Sequence, residues 1–261
     1  MKKNKACLIT GGATGLGYEF AKLAVDDGFD LILIDIDSEK LVEAKAALEG
    51  VNNHKITVIS KDLCEQNIAQ EIYKEIKDEN IEMLINNAGF GVFGKFCETE
   101  WSSEERMMYL HMMTSTHLTK LLLKNMVAKG SGKILNIASL AAFQPGPLMA
   151  IYYASKSFLL SFTEALAREI KGTGVTISVL CPGPTMTNFQ GVVSKNAKKN
   201  KISVNMANAQ AVANNGYKAF KNGEIVVIPG IFNKILAFLP RLLPRNCVAS
   251  IVYKIQTANR N

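Results

Sequence analysis

The sequence predicts an α/β fold: a doubly wound parallel sheet of about seven strands with helices on both faces. Three observations lead there. Short β-rich runs alternate with helical stretches along most of the chain, the order of a βαβ series. Most of those runs are continuously apolar rather than alternating, as strands covered on both faces are. A glycine-rich turn separates the first strand run from the first helical stretch. Right-handed crossovers between successive strands then make the sheet parallel.

The strands are expected at Ala6–Thr10, Asp30–Asp35, Lys55–Ser60, Ile81–Asn86, Gly132–Ala138, Val175–Cys181 and Glu224–Ile228. Helical periodicity shows between them, for example in Leu41, Ala44, Lys45 and Leu48, and in Phe158, Phe162, Ala165, Leu166 and Glu169. The last crossover is interrupted by Pro182-Gly183-Pro184 and a polar, basic stretch, so residues 183–222 are expected to hold a substrate loop or lid. Beyond Ile228-Pro229-Gly230, residues 229–261 read as a C-terminal helical tail punctuated by Pro240 and Pro244. Its two apolar stripes are Phe232, Ile235, Leu236 and Leu239, then Val248, Ile251, Val252 and Ile255. Packing on the domain or on a partner subunit accounts for them ahead of contact with a membrane surface. No repeat, low-complexity tract or linker divides the chain, so residues 1–261 are expected to form a single domain; 261 residues at 48% apolar composition suffice for one continuous core.

Charge and cysteine usage exclude several classes. After residue 194 the chain carries eleven basic residues against one acid, Glu224, within a net charge of +7. Those charges are dispersed, without the interleaved aromatics of a nucleic-acid surface, and read as a solvated basic face. Met1-Lys2-Lys3-Asn4-Lys5 before Ala6-Cys7-Leu8-Ile9-Thr10 imitates a signal peptide, but the apolar stretch stops at Gly11-Gly12. No run approaches the ~18 apolar residues that span a bilayer. Cys7, Cys64, Cys97, Cys181 and Cys247 are scattered, and His54, His111 and His117 form no ligand pattern; a cytoplasmic setting without a metal is expected.

The chemistry begins at Thr10-Gly11-Gly12-Ala13-Thr14-Gly15-Leu16-Gly17, between the first strand and the first helix. Glycines there permit a tight turn and let a pyrophosphate approach free N–H groups at a helix N-terminus, the arrangement of a Rossmann-like dinucleotide fold. Asp35 ends the second strand about twenty residues beyond the glycines, placed to accept hydrogen bonds from ribose hydroxyls. A ribose phosphate at ~4 Å from that carboxylate costs roughly 4 kcal/mol at an effective dielectric of ~20, so NAD is the expected cofactor and NADP the less suited one. Lys40 is the one nearby cation able to swing toward a phosphate.

Tyr152 and Lys156 stand four residues apart, with Ser139 thirteen residues upstream of the tyrosine, at the end of a strand-like run. On a helix the phenol and ammonium share one face, where the lysine charge favours phenolate. Proton transfer at a carbonyl or alcohol oxygen fits the three residues together; an aromatic and a lysine sharing a helix face by chance is the plain alternative.

Together these motifs resemble the short-chain dehydrogenase/reductase family in its single-domain form, from Lys5 to about Pro229. The resemblance identifies Thr10, Gly11, Gly15, Leu16 and Gly17 with the family's cofactor loop, and Asn86-Asn87-Ala88-Gly89 with its strand-four motif beside the cofactor. It implies that Asp62 contacts adenine and that Pro182, Gly183 and Thr187 meet the nicotinamide carboxamide. It further implies that Ser139 binds the substrate oxygen, that Tyr152 is the acid/base, and that Lys156 lowers its pKa and holds nicotinamide ribose. Tyr153 is not the matching tyrosine, because Ser157 stands four residues on. Where the family has a relay asparagine this chain has His111, either a substitute relay member or a satisfied helix histidine. The family also implies a homodimer or homotetramer built on the long helices flanking the fifth strand.

The mostly apolar linker from Leu140 to Ile151, with Phe90, Val92 and Phe93, suggests a greasy cleft for an apolar alcohol or ketone. The expected activity is hydride transfer between NAD(H) and a secondary alcohol or ketone. Its rivals are an NADPH-dependent ketoacyl or ketosteroid-type reductase and a non-catalytic dinucleotide-sensing protein.

Overall fold

The structure is a computed structural model that describes residues 4–50, 54–186 and 206–260. Seven parallel strands form its sheet: β1 (Ala6–Thr10), β2 (Asp30–Asp35), β3 (Ile56–Ser60), β4 (Ile81–Asn86), β5 (Gly132–Ile137), β6 (Val175–Leu180) and β7 (Val226–Val227), in the order β3-β2-β1-β4-β5-β6-β7. The order reverses direction between β1 and β4, and at such a switch point a crevice opens beyond the strands' C-terminal ends.

The helices are α1 (Gly15–Asp26), α2 (Ser38–Glu49), α3 (Ile68–Glu75), α4 (Trp101–Met108), α5 (Ser115–Lys129), α6 (Ala150–Glu169), α7 (Ala209–Lys221), α8 (Ile231–Phe238) and α9 (Arg245–Arg260). Alternate strand residues serve alternate faces. Ile9, Leu33, Ile85 and Leu135 pack with Phe20 of α1, Leu41 of α2 and Phe220 of α7. Leu8, Ile32, Leu84 and Ile134 pack with Ile72 of α3 and with Leu118 and Leu122 of α5. Continuous apolar strands are what two covered faces require.

One stretch differs from the sequence expectation. Of residues 183–222, read as loop or lid, 187–205 lie outside the described residues, while 209–221 are helix α7, whose Val212, Ala213, Tyr217 and Phe220 join the core. On α6 the buried residues are Tyr152, Ser155, Lys156, Leu159 and Thr163. Of the residues that carry the helical periodicity, Phe158 is exposed and its ring stacks on half-buried Phe162 at a centroid distance of 5.9 Å, while Leu166 packs against the core. The helix takes its inner face from the pair Tyr152/Lys156, continued at helical spacing, and not from its largest apolar residues.

A buried polar seam crosses the sheet beside the switch point. Asn86 Nδ2 donates to Thr119 Oγ1 at 3.0 Å and to Asn136 Oδ1 at 2.9 Å, and Asn136 Nδ2 donates to Thr163 Oγ1 at 2.9 Å. These bonds tie β4 and β5 to α5 and α6.

Candidate active site

A cavity of about 820 Å³ is lined by the segments that follow successive strands: Gly11, Thr14, Gly15 and Leu16 after β1, Asp35 and Ile36 at β2, Lys61 to Cys64 after β3, Asn87 to Phe90 after β4, Ser139 to Ala141 after β5, and Pro182 to Thr185 after β6. Parallel strands deliver all of these to one edge.

At one end the β1 turn is fixed by backbone hydrogen bonds. Gly11 N donates to Ile34 O at 2.7 Å, and Ala13 N to Asp35 Oδ2 at 3.2 Å. Thr10 Oγ1 accepts from Asn87 N at 3.0 Å and Ala88 N at 3.1 Å, while Asn87 Nδ2 donates to Thr10 O at 3.0 Å and Gly11 O at 2.9 Å. The two loops beside the switch point are thereby stitched together. Thr10 and Gly17 stand behind the wall rather than in it. A Cβ on Gly17 would lie 1.9 Å from the Gly11 carbonyl oxygen, so glycine is required there for packing. Thr14, at the N-cap of α1, makes no side-chain cap and the first turn holds no acid. The positive end of α1 is open to an anion.

Asp35 accepts from Asp37 N at 3.3 Å as well as from Ala13. A carboxylate has about four acceptor sites, so further acceptance remains open to it. Asp62 accepts from Cys64 N at 2.9 Å and Arg106 Nη2 at 2.7 Å. Burial works to raise its carboxyl, but those donors outweigh it and hold the group below the usual carboxylate range. Among the described residues, Lys61 pairs with Glu71 and Glu75, Lys40 with Glu43 at 2.7 Å, and Arg106 with Asp62. These residues fit a dinucleotide: an uncapped helix end for its pyrophosphate and a strand-end carboxylate for a ribose.

At the other end Ser139, just past β5, caps the short turn Leu140–Phe143 by accepting from Ala141 N at 3.2 Å. Tyr152 and Lys156 come from the first two turns of α6 and face the cavity. Lys156 is 4% exposed; its Nζ donates to Ile137 O at 2.9 Å and lies 5.7 Å from the Tyr152 ring centroid. Burial brings its pKa down from 10.5 to about 8. The ammonium still carries its charge at neutral pH.

His111 sits behind Tyr152, outside the cavity wall, with ring centroids 5.9 Å apart. It belongs to a π-helical turn, Tyr109–Thr114, between α4 and α5, where Ser115 Oγ donates to the Leu110 carbonyl at 3.0 Å. Phe90 N donates to His111 Nε2 at 3.3 Å, which makes Nε2 the acceptor and puts the ring proton on Nδ1. Nδ1 is 2.9 Å from Ser155 Oγ, which donates onward to Tyr152 O at 2.8 Å. Both ring nitrogens therefore have partners in the neutral form. Burial, and after it the Lys156 charge, hold the imidazole pKa well below its ordinary value. Gly89 makes the room, since a Cβ there would stand 2.8 Å from His111 Nε2.

Leu140, Ala141, Gln144, Met149 and Phe90 line the cavity as expected of the apolar linker and its neighbour. Val92 and Phe93 do not; they pack with Met107, Ala141 and Met149 beneath Tyr152. Pro182 O accepts from Leu140 N at 2.9 Å, and a Cβ on Gly183 would come within 2.9 Å of Asn233 on α8. Thr187 lies outside the described residues.

The sequence reading missed the roof. Leu236, Leu239, Pro240 and Leu243 from α8 and the turn after it, with Val248, Ile251, Val252, Ile255 and Gln256 from α9, line the same cavity. Gln256 Nε2 donates to Tyr153 Oη at 2.8 Å, tying the tail to the residue beside Tyr152. The available signal was position: β7 ends at the site's own edge of the sheet, so the stripes that follow start there. Arg106 and Ser155 were missed as well, and nothing in their local spacing marks them. Among the described residues, no helix is long and apolar enough to cross a membrane.

Known proteins share this architecture. A model of the short chain dehydrogenase family matches residues 5–198. Ketoacyl reductase HetN of Nostoc sp. is 30% identical over 226 residues, covering 86% of this chain and 78% of that protein. The bulky-bulky ketone specific alcohol dehydrogenase from Comamonas testosteroni superposes with a TM-score of 0.77 at 26% identity, covering 92% of this chain and 93% of that one. A short-chain dehydrogenase from Sphingobium yanoikuyae in complex with NADPH shares the fold at a TM-score of 0.82 and 24% identity, covering 97% of this chain and 95% of that one. With its seven-stranded parallel sheet and a family match over residues 5–198, the chain belongs to the short-chain dehydrogenase family of NAD(P)-dependent oxidoreductases.

Proposed function

We propose that the protein interconverts a lipophilic secondary alcohol and its ketone with NAD(H) as the preferred cofactor. The observation that carries this reading is a single cavity with Ser139, Tyr152 and Lys156 at one end, Asp35 at the other, and an apolar roof from the tail over the first. Bound nicotinamide dinucleotide supplies or accepts the hydride. Gly11, Gly15, Leu16, Asp35, Asp62, Asn87, Ala88, Gly89, Pro182 and Gly183 would hold it, with Thr10 and Gly17 shaping the turn from behind, and Lys156 would reach the nicotinamide ribose.

In the oxidation direction Tyr152 Oη, as phenolate, takes the hydroxyl proton of the alcohol. In reduction it returns that proton to the carbonyl oxygen. A free phenol, with a pKa of about 10, is a weak acid for this work near neutrality. The charged, buried Lys156 close to the ring favours the phenolate and brings its pKa toward working pH. Ser139 Oγ orients the substrate oxygen. His111, neutral and tied to Ser155 and Phe90, serves as a positioning residue behind Tyr152 rather than as a proton carrier.

Asp35 and the engagement of Lys40, Lys61 and Arg106 with carboxylates support NAD over NADP. The rival is NADPH-dependent ketoacyl or ketosteroid-type reduction, favoured by the NADPH held in the Sphingobium neighbour and by the name of the Nostoc relative. Scattered free cysteines support a reducing, cytoplasmic setting. The exposed Phe158 on α6, stacked on half-buried Phe162, supports a homo-oligomer built on the long helices. A screen of bulky ketones and secondary alcohols, following NADH and NADPH absorbance in parallel, tests substrate class and cofactor together. Turnover with NADH on apolar ketones is expected; turnover confined to NADPH overturns the cofactor assignment, and no turnover across the panel overturns the activity.

A further inference from the structure

The tail helices bury one side and leave another bare. Ala237, Val248, Val252 and Gln256 face the domain, whereas Ile231, Phe232, Phe238 and Leu242 are 76%, 68%, 54% and 65% exposed. Singly exposed apolar residues are ordinary on a protein surface, but a contiguous run of large ones marks an interaction face. This run is continuous with the cavity. Leu236, Leu239, Leu243, Ile251 and Ile255 line it and are also 39%, 43%, 44%, 47% and 53% exposed, so its mouth opens within the apolar face.

Charge selects the partner. Lys234, Arg241, Arg245 and Lys254 are exposed around this face, and no aspartate or glutamate occurs after Glu224. A two-fold contact between copies through the same face would bring two sets of cations together with no carboxylate of the tail to offset them. An anionic lipid surface supplies both what the cations need and an apolar layer for the side chains between them. With 8 residues in α8 and 16 in α9, neither helix has the ~20 residues a bilayer crossing takes.

We propose that the outer face of α8, the turn after it and α9 docks in the interface of an anionic lipid membrane, with the cavity mouth toward the lipid. The proposal is independent of the hydride-transfer reading, because its readout is binding and not turnover. The test is flotation of the full chain with phosphatidylcholine vesicles containing about a quarter phosphatidylglycerol, beside pure phosphatidylcholine vesicles, at ionic strengths of about 0.05 M and about 0.5 M. Binding to the anionic vesicles is expected to weaken at least roughly tenfold on pure phosphatidylcholine, at the higher salt, and in Arg241→Glu/Arg245→Glu. A comparable loss is expected in Phe232→Ser/Phe238→Ser, with the thermal unfolding transition of both double variants unchanged. The lipid and salt comparisons on the unaltered chain decide the matter even if a variant misfolds. Absence of flotation, equal binding to neutral vesicles, or a dimer in sedimentation that Phe232→Ser/Phe238→Ser dissociates would each overturn the proposal, the last in favour of a second copy of the chain.

Discussion

The two ends of the cavity are held by different forces. Around the β1 turn, Thr10, Gly11, Ala13 and Asn87 are locked by backbone and short side-chain hydrogen bonds of 2.7–3.2 Å, which leave little freedom in the wall. At the reacting end the roof is a pair of tail helices laid on by apolar contact, with Gln256 to Tyr153 as a polar tie. A wall made of directional bonds fits one ligand shape. A wall made of leucine and isoleucine accepts a family of shapes at similar cost, since dispersion and burial carry little directional preference. On the proposed function, that contrast predicts tight cofactor recognition and broad recognition of apolar substrates.

The hardest blow to the contrast falls at the reacting end. Tyr152→Phe is expected to reduce kcat by roughly 100-fold to 10,000-fold while NADH affinity stays within about twofold, because in the proposed mechanism the phenol transfers the proton and the directional end is untouched. Single-turnover kinetics with fluorescence titration of NADH measure both, and retained turnover would remove the tyrosine from the mechanism. Next in size is Asp35→Asn, which keeps an acceptor for Ala13 N–H and removes the charge. The ratio of NADPH to NADH affinity is expected to rise by roughly 100-fold to 1,000-fold, from an upper figure of about 4 kcal/mol for one like-charge contact. An unmoved ratio would show that discrimination lies elsewhere than at this carboxylate.

The pH response of the unliganded chain probes the buried cation at the reacting end. Lys156 titrates at about 8 when folded, against 10.5 for an ordinary lysine. Between those values the unfolded chain binds the extra proton, so stability rises with pH across the window. The gain is complete above 10.5 and lost as pH falls through 8, and amounts to about 3 kcal/mol. Urea midpoints of the native chain and of Lys156→Met at both limits isolate it; parallel pH profiles for the two would show that burial leaves the amine unperturbed. The smallest effect is expected at the roof. Gln256→Leu removes one neutral hydrogen bond, about 1 kcal/mol, and should raise KM for a bulky ketone roughly fivefold while leaving NADH affinity as it was. Equal losses at both ends would mean that roof and floor are one rigid body.

The directional end was legible in the sequence because each bond there imposes a residue type at a fixed spacing: glycine where a Cβ has no room, aspartate at a strand end, an Asn-Asn-Ala-Gly run after the fourth strand. β1, β2 and β4 came out with the boundaries read from their apolar runs. Helix α6 was legible from its periodicity, and the face that Tyr152 and Lys156 share is the one it buries, with Ser155, Leu159 and Thr163. His111 was legible as a departure but its role was not, since its partner Ser155 lies 44 residues away and meets it through the fold alone. The roof was legible as two apolar stripes and illegible as a wall. Stripes say that something is covered; which surface they cover depends on where the preceding strand ends.

The amide seam between Asn86 and Asn136 works as a ruler. These residues are register partners of β4 and β5, joined at 2.9 Å. Sliding β5 by one residue would turn Asn136 to the opposite side of the sheet and strand two amides in a dry interior, at about 1–3 kcal/mol each. Asn87 to Gly89 begin one residue beyond the first asparagine, and Ser139 stands three residues beyond the second. A correctly threaded seam therefore sets the relative height of those two loops before any ligand arrives, and a misthreaded copy is sorted out by its folding stability rather than by its chemistry.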